Sequence, residues 1–145
     1  IIHAMVAAPG FFSLIALLAS SAAAGPIEGP VAATVERVVD GDTVRVTARI
    51  WVGHSVSVSV RLAGVDAPEL YRPRCAAEKD RAREAKTFVE GLLGAGEVML
   101  LDVVNDKYGG RVVARVETPD GADVGAALLE EGLAVEDGAP ERWCV

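Results

Sequence analysis

Valine-rich runs separated by short turns are the feature that most constrains this 145-residue chain, because β-branched residues favour strands. The run from Val56 to Leu62 alternates strictly, so its apolar side chains face one way while Ser57, Ser59 and Arg61 face the other. After residue 24 the chain has 21 valines and only five aromatic residues, which predicts an aliphatic core. Arg61 is therefore expected to point away from that core.

The other periodic segments complete a pattern of five strands and two helices. Besides 56–62, strands are predicted at 34–39, 43–51, 97–104 and 111–118. A helix is predicted from about Cys75 to Leu93, with Glu78 on its solvent side, and a short helix at about 123–131. The chain is therefore predicted to be mainly β, a five-stranded OB-type Greek-key barrel with one helix between strands 3 and 4 and a short helix after strand 5.

The first 24 residues differ from the rest, because they carry no charged side chain and include the apolar run 11–19. Small residues up to Ala24 and the Gly25-Pro26 break are typical of a secretory signal peptide, although the usual basic start is missing. An uncleaved N-terminal anchor and a disordered leader stay open as alternatives. Residues 25–33 are predicted to be a linker and 34–145 one folded domain, and the composition excludes disorder and collagen-like fibre.

Three polar motifs interrupt the apolar pattern. They are Asp-Gly-Asp-Thr at 40–43, Arg-Leu-Ala-Gly-Val-Asp-Ala-Pro-Glu at 61–69, and Asp-Lys-Tyr-Gly-Gly-Arg at 106–111. In this order they resemble the motifs of the staphylococcal nuclease family, also called thermonucleases. The resemblance extends from about residue 34 to 134. One such motif is weak evidence, whereas three in matching order are strong.

The resemblance implies a calcium site formed by Asp42, Asp66 and the backbone carbonyl of Ala67, with Asp40 nearby. Calcium prefers six to eight oxygen ligands, so two carboxylates leave positions for water and substrate. Asp-Gly-Asp-Thr alone is more typical of a simple hairpin turn. The two other motifs favour the metal interpretation.

The resemblance also implies a catalytic set. Glu69 would activate or orient the attacking water, and Arg61 and Arg111 would stabilise negative charge on the phosphate. The family commonly has arginine directly after the tyrosine-glycine pair, whereas Gly110 intervenes here. When the motif is aligned with the family from its C-terminal side, Arg111 takes the position of the family arginine and the glycines form a one-residue bulge. Arg115 is the alternative.

Lys107 and Tyr108 resemble family residues near the phosphate of the nucleotide, and such a pair can serve a phosphate and a base or sugar face. The chain departs from the family after Ala134, because the tyrosines expected there are replaced by Val-Glu-Asp at 135–137. Base stacking by that segment is therefore not predicted.

Two cysteines, Cys75 and Cys144, are most simply a disulfide in an exported protein. The bond would tether the end of the chain to the start of the long helix. Without neighbouring histidines the same pair makes a poor zinc site.

The formal net charge of −7 is the main argument against a nucleic-acid substrate. Its distribution weakens this argument, because 61–86 carry seven basic and five acidic residues, whereas 117–145 carry one basic and eight acidic. We therefore still expect an exported nuclease that cleaves DNA or RNA, and the family resemblance implies that it depends on calcium and leaves 3′-phosphate ends.

No stable protein partner is expected, the protein should be a monomer, and membrane contact is expected only if the leader stays attached. The main alternative is an inactive OB-fold module that binds nucleic acid or a protein, and an envelope-anchored structural domain is a third. Inactive members of such families typically lose site carboxylates. The presence of Asp42, Asp66 and Glu69 therefore favours the enzyme.

Overall fold

The computed structural model describes residues 25–145, so the predicted signal peptide or anchor lies outside the described residues. In chain order the elements are β1 Val31–Asp40, β2 Thr43–Trp51, β3 His54–Leu62, β4 Val65–Asp66, α1 Ala76–Leu93, β5 Glu97–Asn105, β6 Arg111–Glu117, α2 Val124–Glu130 and β7 Val135–Glu136. Within 25–145, no helix has the length and apolar character that crossing a bilayer requires.

Five long strands close into a mixed barrel in the order β1, β2, β3, β6, β5, with β5 pairing back to β1. Strands β1 to β3 form an antiparallel meander, whereas β3 runs parallel to β6. Helix α1 lies between the third and fourth barrel strands in chain order, and α2 follows the fifth. The predicted OB-type fold is confirmed.

The core is aliphatic, as the valine content predicts. Val44, Val46, Val60 and Val98 are completely buried inside the barrel. Helix α1 closes one side by burying its small apolar stripe, Ala82, Ala85, Val89 and Leu93. Because the barrel surrounds a narrow aliphatic interior, the charged residues of the three motifs lie outside it, and all of them except Asp42 are at least partly exposed to solvent.

Strand β1 is longer than predicted, and strand β3 extends beyond the core. Strand β1 begins at Val31 rather than residue 34, and Ile27 pairs through its backbone with Val103, so part of the predicted linker lies against the barrel. On β3, Val60 and Leu62 face the core as expected, but Val56 is 43% exposed. The β2–β3 hairpin continues past the end of the core, where inward alternation no longer produces burial.

A short ribbon that the sequence does not predict connects the site to the C-terminal tail. Strands β4 and β7 have two residues each and pair antiparallel, Val65 with Glu136 and Asp66 with Val135. The backbone N–H of Asp137 also donates to the Gly64 carbonyl at 3.0 Å. Two-residue strands lack a periodic signal, so this contact becomes visible only in the fold.

The predicted disulfide is present and joins Cys75 to Cys144, with 6.0 Å between their Cα atoms. Cys75 is also the N-cap of α1, and its sulfur accepts the backbone N–H of Glu78 at 3.3 Å. The tail is thus attached at the first turn of the long helix.

Candidate functional site

The β1–β2 turn brings two aspartates to the outer surface of the barrel. Gly41, between Asp40 and Asp42, is buried against α1 and the loop after β4. An added Cβ at Gly41 would lie 2.8 Å from the Cβ of Ala85 and 2.9 Å from that of Ala67. Both distances are too short for carbon atoms, so only glycine lets this turn approach the helix so closely. The close approach fixes where Asp40 and Asp42 lie.

Asp42 is the centre of the hydrogen bonds around this turn. Its Oδ2 accepts the backbone N–H of Ala67 at 2.9 Å, and its Oδ1 accepts the Thr43 hydroxyl at 3.1 Å. The Asp42 carbonyl accepts the backbone N–H of Leu62 at 2.8 Å. The β1–β2 turn, the end of β3 and the loop after β4 therefore meet at one residue, Asp42.

Arg61 lies between two of the predicted metal ligands. Its Nη2 donates to Asp66 Oδ1 at 3.2 Å, and its Nη1 lies 3.6 Å from Asp42 Oδ2. Nη1 also donates to the Val65 carbonyl at 3.0 Å. Its partner across the β2–β3 ladder is Thr43, which explains why the outward-facing arginine of β3 reaches the turn.

The carboxyl groups near Arg61 repel one another. Burial and the charge of Asp42 raise the pKa of Asp40 to about 7, while Asp40 Oδ1 accepts the backbone N–H of Asp42 at 3.2 Å. Burial also raises the pKa of Asp66; Arg61 opposes this shift, and Asp42 adds to it. Burial is the larger cause of both shifts, and repulsion from the charge of Asp42 adds to both.

Glu69 lies on the loop after β4 and has an exposed side chain. Burial of its carboxyl group and repulsion from Asp42, Glu78 and Asp66 raise its pKa, while Arg61 lowers it. The fold thus brings Glu69 into the electrostatic field of the two predicted metal ligands. Its catalytic role stays a prediction.

Glu78 was expected on the solvent side of α1, and this expectation is wrong, because the residue is only 1% exposed. Its Oε1 accepts the backbone N–H of Glu69 at 3.2 Å, and its Oε2 accepts that of Arg74 at 2.6 Å. Burial opposes ionisation of Glu78, but these bonds and the Arg74 guanidinium outweigh it and lower the pKa. Glu78 therefore holds both ends of the loop that carries Glu69.

A sequence signal for Glu78 exists in the spacing Cys75-x-x-Glu78. It resembles a capping box, in which serine or threonine at the N-cap is followed three positions later by glutamate, although Glu78 here accepts the backbone N–H groups of Glu69 and Arg74. Helical periodicity alone hides this signal, because it assigns every charged position to solvent.

The second predicted arginine lies on the neighbouring strand. Arg111 is paired with Ser59 of β3, two residues from Arg61 along that strand. Its guanidinium binds the Asp106 carboxylate and lies 4.9 Å from the centre of the Tyr108 ring. Burial would raise the pKa of Asp106, but the hydrogen bonds from Arg111 and the Lys107 backbone lower it.

Arg61 and Arg111 line one cavity of about 270 Å³, together with Lys107, Asp106 and Asp137. The Lys107 ammonium also lies over the Tyr108 ring, 5.2 Å from its centre. The structure therefore brings the two predicted catalytic arginines and the two predicted substrate-binding residues to one surface. The loop 106–110 provides the extra residue at Gly110, whose φ of 78° requires glycine.

Arg115, the alternative to Arg111, has a different environment. Its guanidinium binds Glu117 and lies 3.6 Å from Asp102. Arg115 is not among the residues that line the cavity of Arg61. The geometry thus favours Arg111, and its role stays a prediction.

The donor set suits a hard divalent cation. Asp42 and Asp66 approach the same guanidinium from two segments, with Asp40 and Glu69 close enough to be repelled by Asp42. Oxygen ligands with uncompensated negative charge are what calcium or magnesium prefers. Ala67 lies beside Asp42 through its N–H, and the ligand role of its carbonyl stays a prediction.

Among residues 25–145, Cys75, Glu78 and Cys144 also lie close enough together to suggest a metal site. Their sulfur atoms are joined to each other, however, and the Glu78 oxygens accept hydrogen bonds from the backbone. This cluster therefore has a structural role, which is to connect the C-terminal tail to the first turn of α1.

Comparison with known proteins places this geometry in a family. Residues 59–141 match the model of the staphylococcal nuclease homologue family. The chain is 31% identical over 125 residues to endonuclease YhcR of Bacillus subtilis strain 168, an alignment that covers 81% of this chain and 10% of the relative. It is 30% identical over 100 residues to an uncharacterized endonuclease of Escherichia coli, covering 69% of this chain and 57% of the relative. The chain thus spans a tenth and just over half of these two relatives.

Proposed function

The chain belongs to the family of staphylococcal nuclease homologues, and from this premise we propose that it is a nuclease that hydrolyses phosphodiester bonds in DNA or RNA. The observation that carries the proposal is the position of the Arg61 guanidinium between the carboxylates of Asp42 and Asp66. A phosphate that reaches this point meets a planar donor and, beside it, oxygen ligands for a cation.

We propose calcium as that cation, held by Asp42, Asp66 and the Ala67 carbonyl, with Asp40 nearby. When bound, it would polarise a phosphate oxygen and offset the mutual repulsion of these carboxylates. The grouping of these carboxylates supports this assignment. Burial raises the pKa values of Asp40 and Asp66, repulsion from Asp42 adds to both shifts, and a divalent cation would offset that repulsion.

Glu69 is proposed as the general base. It accepts a proton from the attacking water as the new bond to phosphorus forms, and the bond from phosphorus to the 5′ oxygen breaks. The 5′ oxygen leaves with the electron pair and takes up a proton, which yields a 3′-phosphate and a 5′-hydroxyl. A pKa raised by partial burial of the carboxyl group and by neighbouring carboxylates makes Glu69 a stronger base than a glutamate of ordinary pKa.

Arg61 and Arg111 are proposed to stabilise the charge that develops on the nonbridging oxygens. Their shared cavity supports a joint role, and Lys107 and Tyr108 at its rim would contact the neighbouring phosphate and sugar or base. Asp106 keeps the Arg111 side chain oriented before substrate arrives.

Export and a monomeric state are also proposed. The apolar leader 1–24 supports export, as does the disulfide, because such bonds persist in oxidising compartments. The folded unit assigned to nuclease activity is 34–145 together with the β1 residues that precede it.

The test is incubation of the full chain with single-stranded DNA and with RNA at pH 7 to 10, with calcium and then with excess chelator. We expect cleavage that calcium supports, that chelator abolishes, and that leaves 3′-phosphate ends. Glu130→Gln, an exposed acidic position on α2, is the matched control and should cleave normally. Binding without cleavage by a folded sample would overturn the nuclease assignment in favour of the inactive module.

A further inference from the structure

The C-terminal tail forms one wall of a cavity of about 580 Å³ that the site described above does not use. Its opposite walls come from the first half of α1 and from the segment that contains β7. The residues on which the argument depends are Arg81, Glu136, Arg142 and Trp143. The volume lies within the range of sites that hold small organic ligands.

This cavity adjoins the proposed active site through two connections. Strand β7, which lines the cavity, pairs with β4 so that Val135 lies beside Asp66. The sulfur of Cys144, next to Trp143, lies 3.9 Å from Glu78 Oε2, and Glu78 holds the backbone of Glu69. A nucleic-acid strand bound at the active site therefore has the cavity as a neighbour.

The side chains of the cavity suit a nucleotide. Trp143 is half-buried and offers a flat aromatic face, on which any base can stack. Arg142 is the one basic residue between 117 and 145, and it lines the cavity together with Arg81. Arg81 is fixed by Glu84 and the Gly132 carbonyl, whereas Arg142 is exposed.

The acidic residues of the tail do not exclude this ligand. Glu141 pairs with Arg74, so its charge is compensated away from the cavity. Glu136 does line the cavity. Its negative charge repels a free anion more strongly than a nucleotide, because the uncharged base of the nucleotide would occupy the centre of the cavity. A ligand with both a stacking face and a phosphate near Arg142 matches this distribution.

We propose that the tail forms a second substrate subsite, in which a base of single-stranded nucleic acid stacks on Trp143 while its phosphate contacts Arg142. The inference rests on the proposed function and extends it to a nucleotide beyond the scissile bond. It supplies an aromatic contact that the 135–137 segment lacks.

The direct test follows Trp143 fluorescence in the full chain with Trp51→Phe, which leaves one tryptophan, and Glu69→Gln, which keeps the metal ligands. With calcium, single-stranded oligothymidylate and oligouridylate are each titrated in. We expect saturable quenching, since the bases of both can stack. If the emission stays unchanged while the wild-type chain still cleaves, the inference is wrong and the proposed function stands. If neither binding nor cleavage occurs, both fail.

Activity variants give a second test. Trp143→Ala should raise KM for a long oligonucleotide about 5- to 100-fold and leave kcat within about twofold. Trp143→Phe should restore most of the lost affinity, and Arg142→Gln should lower the salt dependence of binding by about one phosphate contact. Trp51→Ala on the distant hairpin is the control. An unchanged KM in Trp143→Ala overturns the inference, and so does a fall in kcat alone.

Discussion

Asp42 is the residue on which the charges of the site converge. Burial raises the pKa values of Asp40, Asp66 and Glu69, and the charge of the Asp42 carboxylate adds to each shift. The same carboxylate accepts the backbone N–H of Ala67. One buried carboxylate thus acts on both the proposed metal site and the proposed general base. This coupling links the proposed metal ligands with the proposed base, which come from the β1–β2 turn and from the segment 66–69.

The proposed catalytic roles predict large losses of activity. Arg61→Ala, Glu69→Ala and Arg111→Ala should each lower kcat by about 100-fold or more, because each removes a transition-state donor or the base. Steady-state cleavage of single-stranded DNA measures this, with circular dichroism to verify folding. Arg115→Ala is the matched control. Near-normal turnover in Arg111→Ala with loss in Arg115→Ala would show that the register at Gly110 is wrong.

Asp40 predicts a pH dependence of stability in the metal-free protein. Its folded pKa of about 7 lies above the ordinary aspartate pKa of 3.8, so the folded state holds this proton more tightly than the unfolded chain. That stabilisation is complete below about pH 4 and is lost as pH rises through 7. Asp40→Asn cannot ionise, so at pH 8 it should be more stable than the wild type by on the order of a few kcal/mol.

The measurement for Asp40 is denaturant unfolding in chelator at pH 4 and pH 8. Asparagine still offers an oxygen to the Asp42 N–H, so the turn should persist. Equal stability differences at the two pH values would contradict the assigned titration.

The sequence predicts the position of a site residue correctly where a motif determines which residues lie close to it in the fold. Asp42, Arg61 and Asp66 meet as expected. Asp42 directly precedes β2 and Arg61 lies near the end of β3, two strands whose pairing the valine pattern determines, and Asp66 follows Arg61 by five residues. The burial of Glu78 could not be predicted in this way, because it depends on a loop and a tail that only the tertiary structure brings to this residue.

At the scale of elements, the β1–β2 turn depends on the absence of a side chain at Gly41. Gly41→Ala would place a methyl group against Ala85 and Ala67, so the turn or α1 must shift. We expect a loss of stability of about 1 to 3 kcal/mol and weaker calcium binding, because Asp42 moves with the turn. Thermal unfolding and calcium titration measure both. Gly91→Ala on α1, where an added Cβ meets nothing within 4 Å, is the control.

The loop from Pro68 to Arg74 depends on Glu78 for its position. Glu78→Gln can accept one of the two backbone N–H groups as before, but its amide group repels the other donors. We expect kcat to fall about tenfold with KM nearly unchanged. Removal of the Glu78 charge should also lower the pKa of Glu69 and shift the acid limb of the pH–rate profile to lower pH.

Glu84→Gln, an exposed change one and a half turns further along α1, is the control for this experiment. A fall in kcat without any shift of the acid limb would mean that Glu78 supports folding alone and does not position Glu69.

Elements with a long periodic signal are the ones that the sequence predicts well. Helix α1 ends at Leu93 as expected and buries Ala85 and Val89, because its apolar stripe repeats over about three turns. Strands β4 and β7 have two residues each, too few for any alternation, and their pairing depends on the path of the tail. The barrel could thus be predicted, whereas the ribbon that joins Asp66 to the tail could not.

At the scale of the whole molecule, the acidic charge and the proposed substrate surface lie in different parts of the chain. The acidic excess lies in 117–145, while the proposed substrate surface contains Arg61, Lys107 and Arg111. A polyanion can therefore approach the barrel face of β3 and β6 despite the net charge of −7.

Because the disulfide closes a long loop, the stability of the protein should depend on the redox state of its cysteines. Cys75 and Cys144 are 69 residues apart, and closing such a loop contributes roughly 4 kcal/mol in the chain-entropy model. Reduction should lower the melting temperature and free the tail from α1. Mass spectrometry of an unreduced digest should show the two cysteine peptides joined. Free alkylation of both thiols in native protein would contradict the bond.

The same bond makes the second half of the chain a covalent ring that contains α1, β5, β6 and α2. The exposed loop at Lys107 lies inside this ring and is open to a trypsin-like protease. A nick there would produce two peptides that still migrate as one molecule until a reductant is added. The strands β5 and β6, now on different fragments, would also stay paired, so the nicked protein could keep an assembled active site.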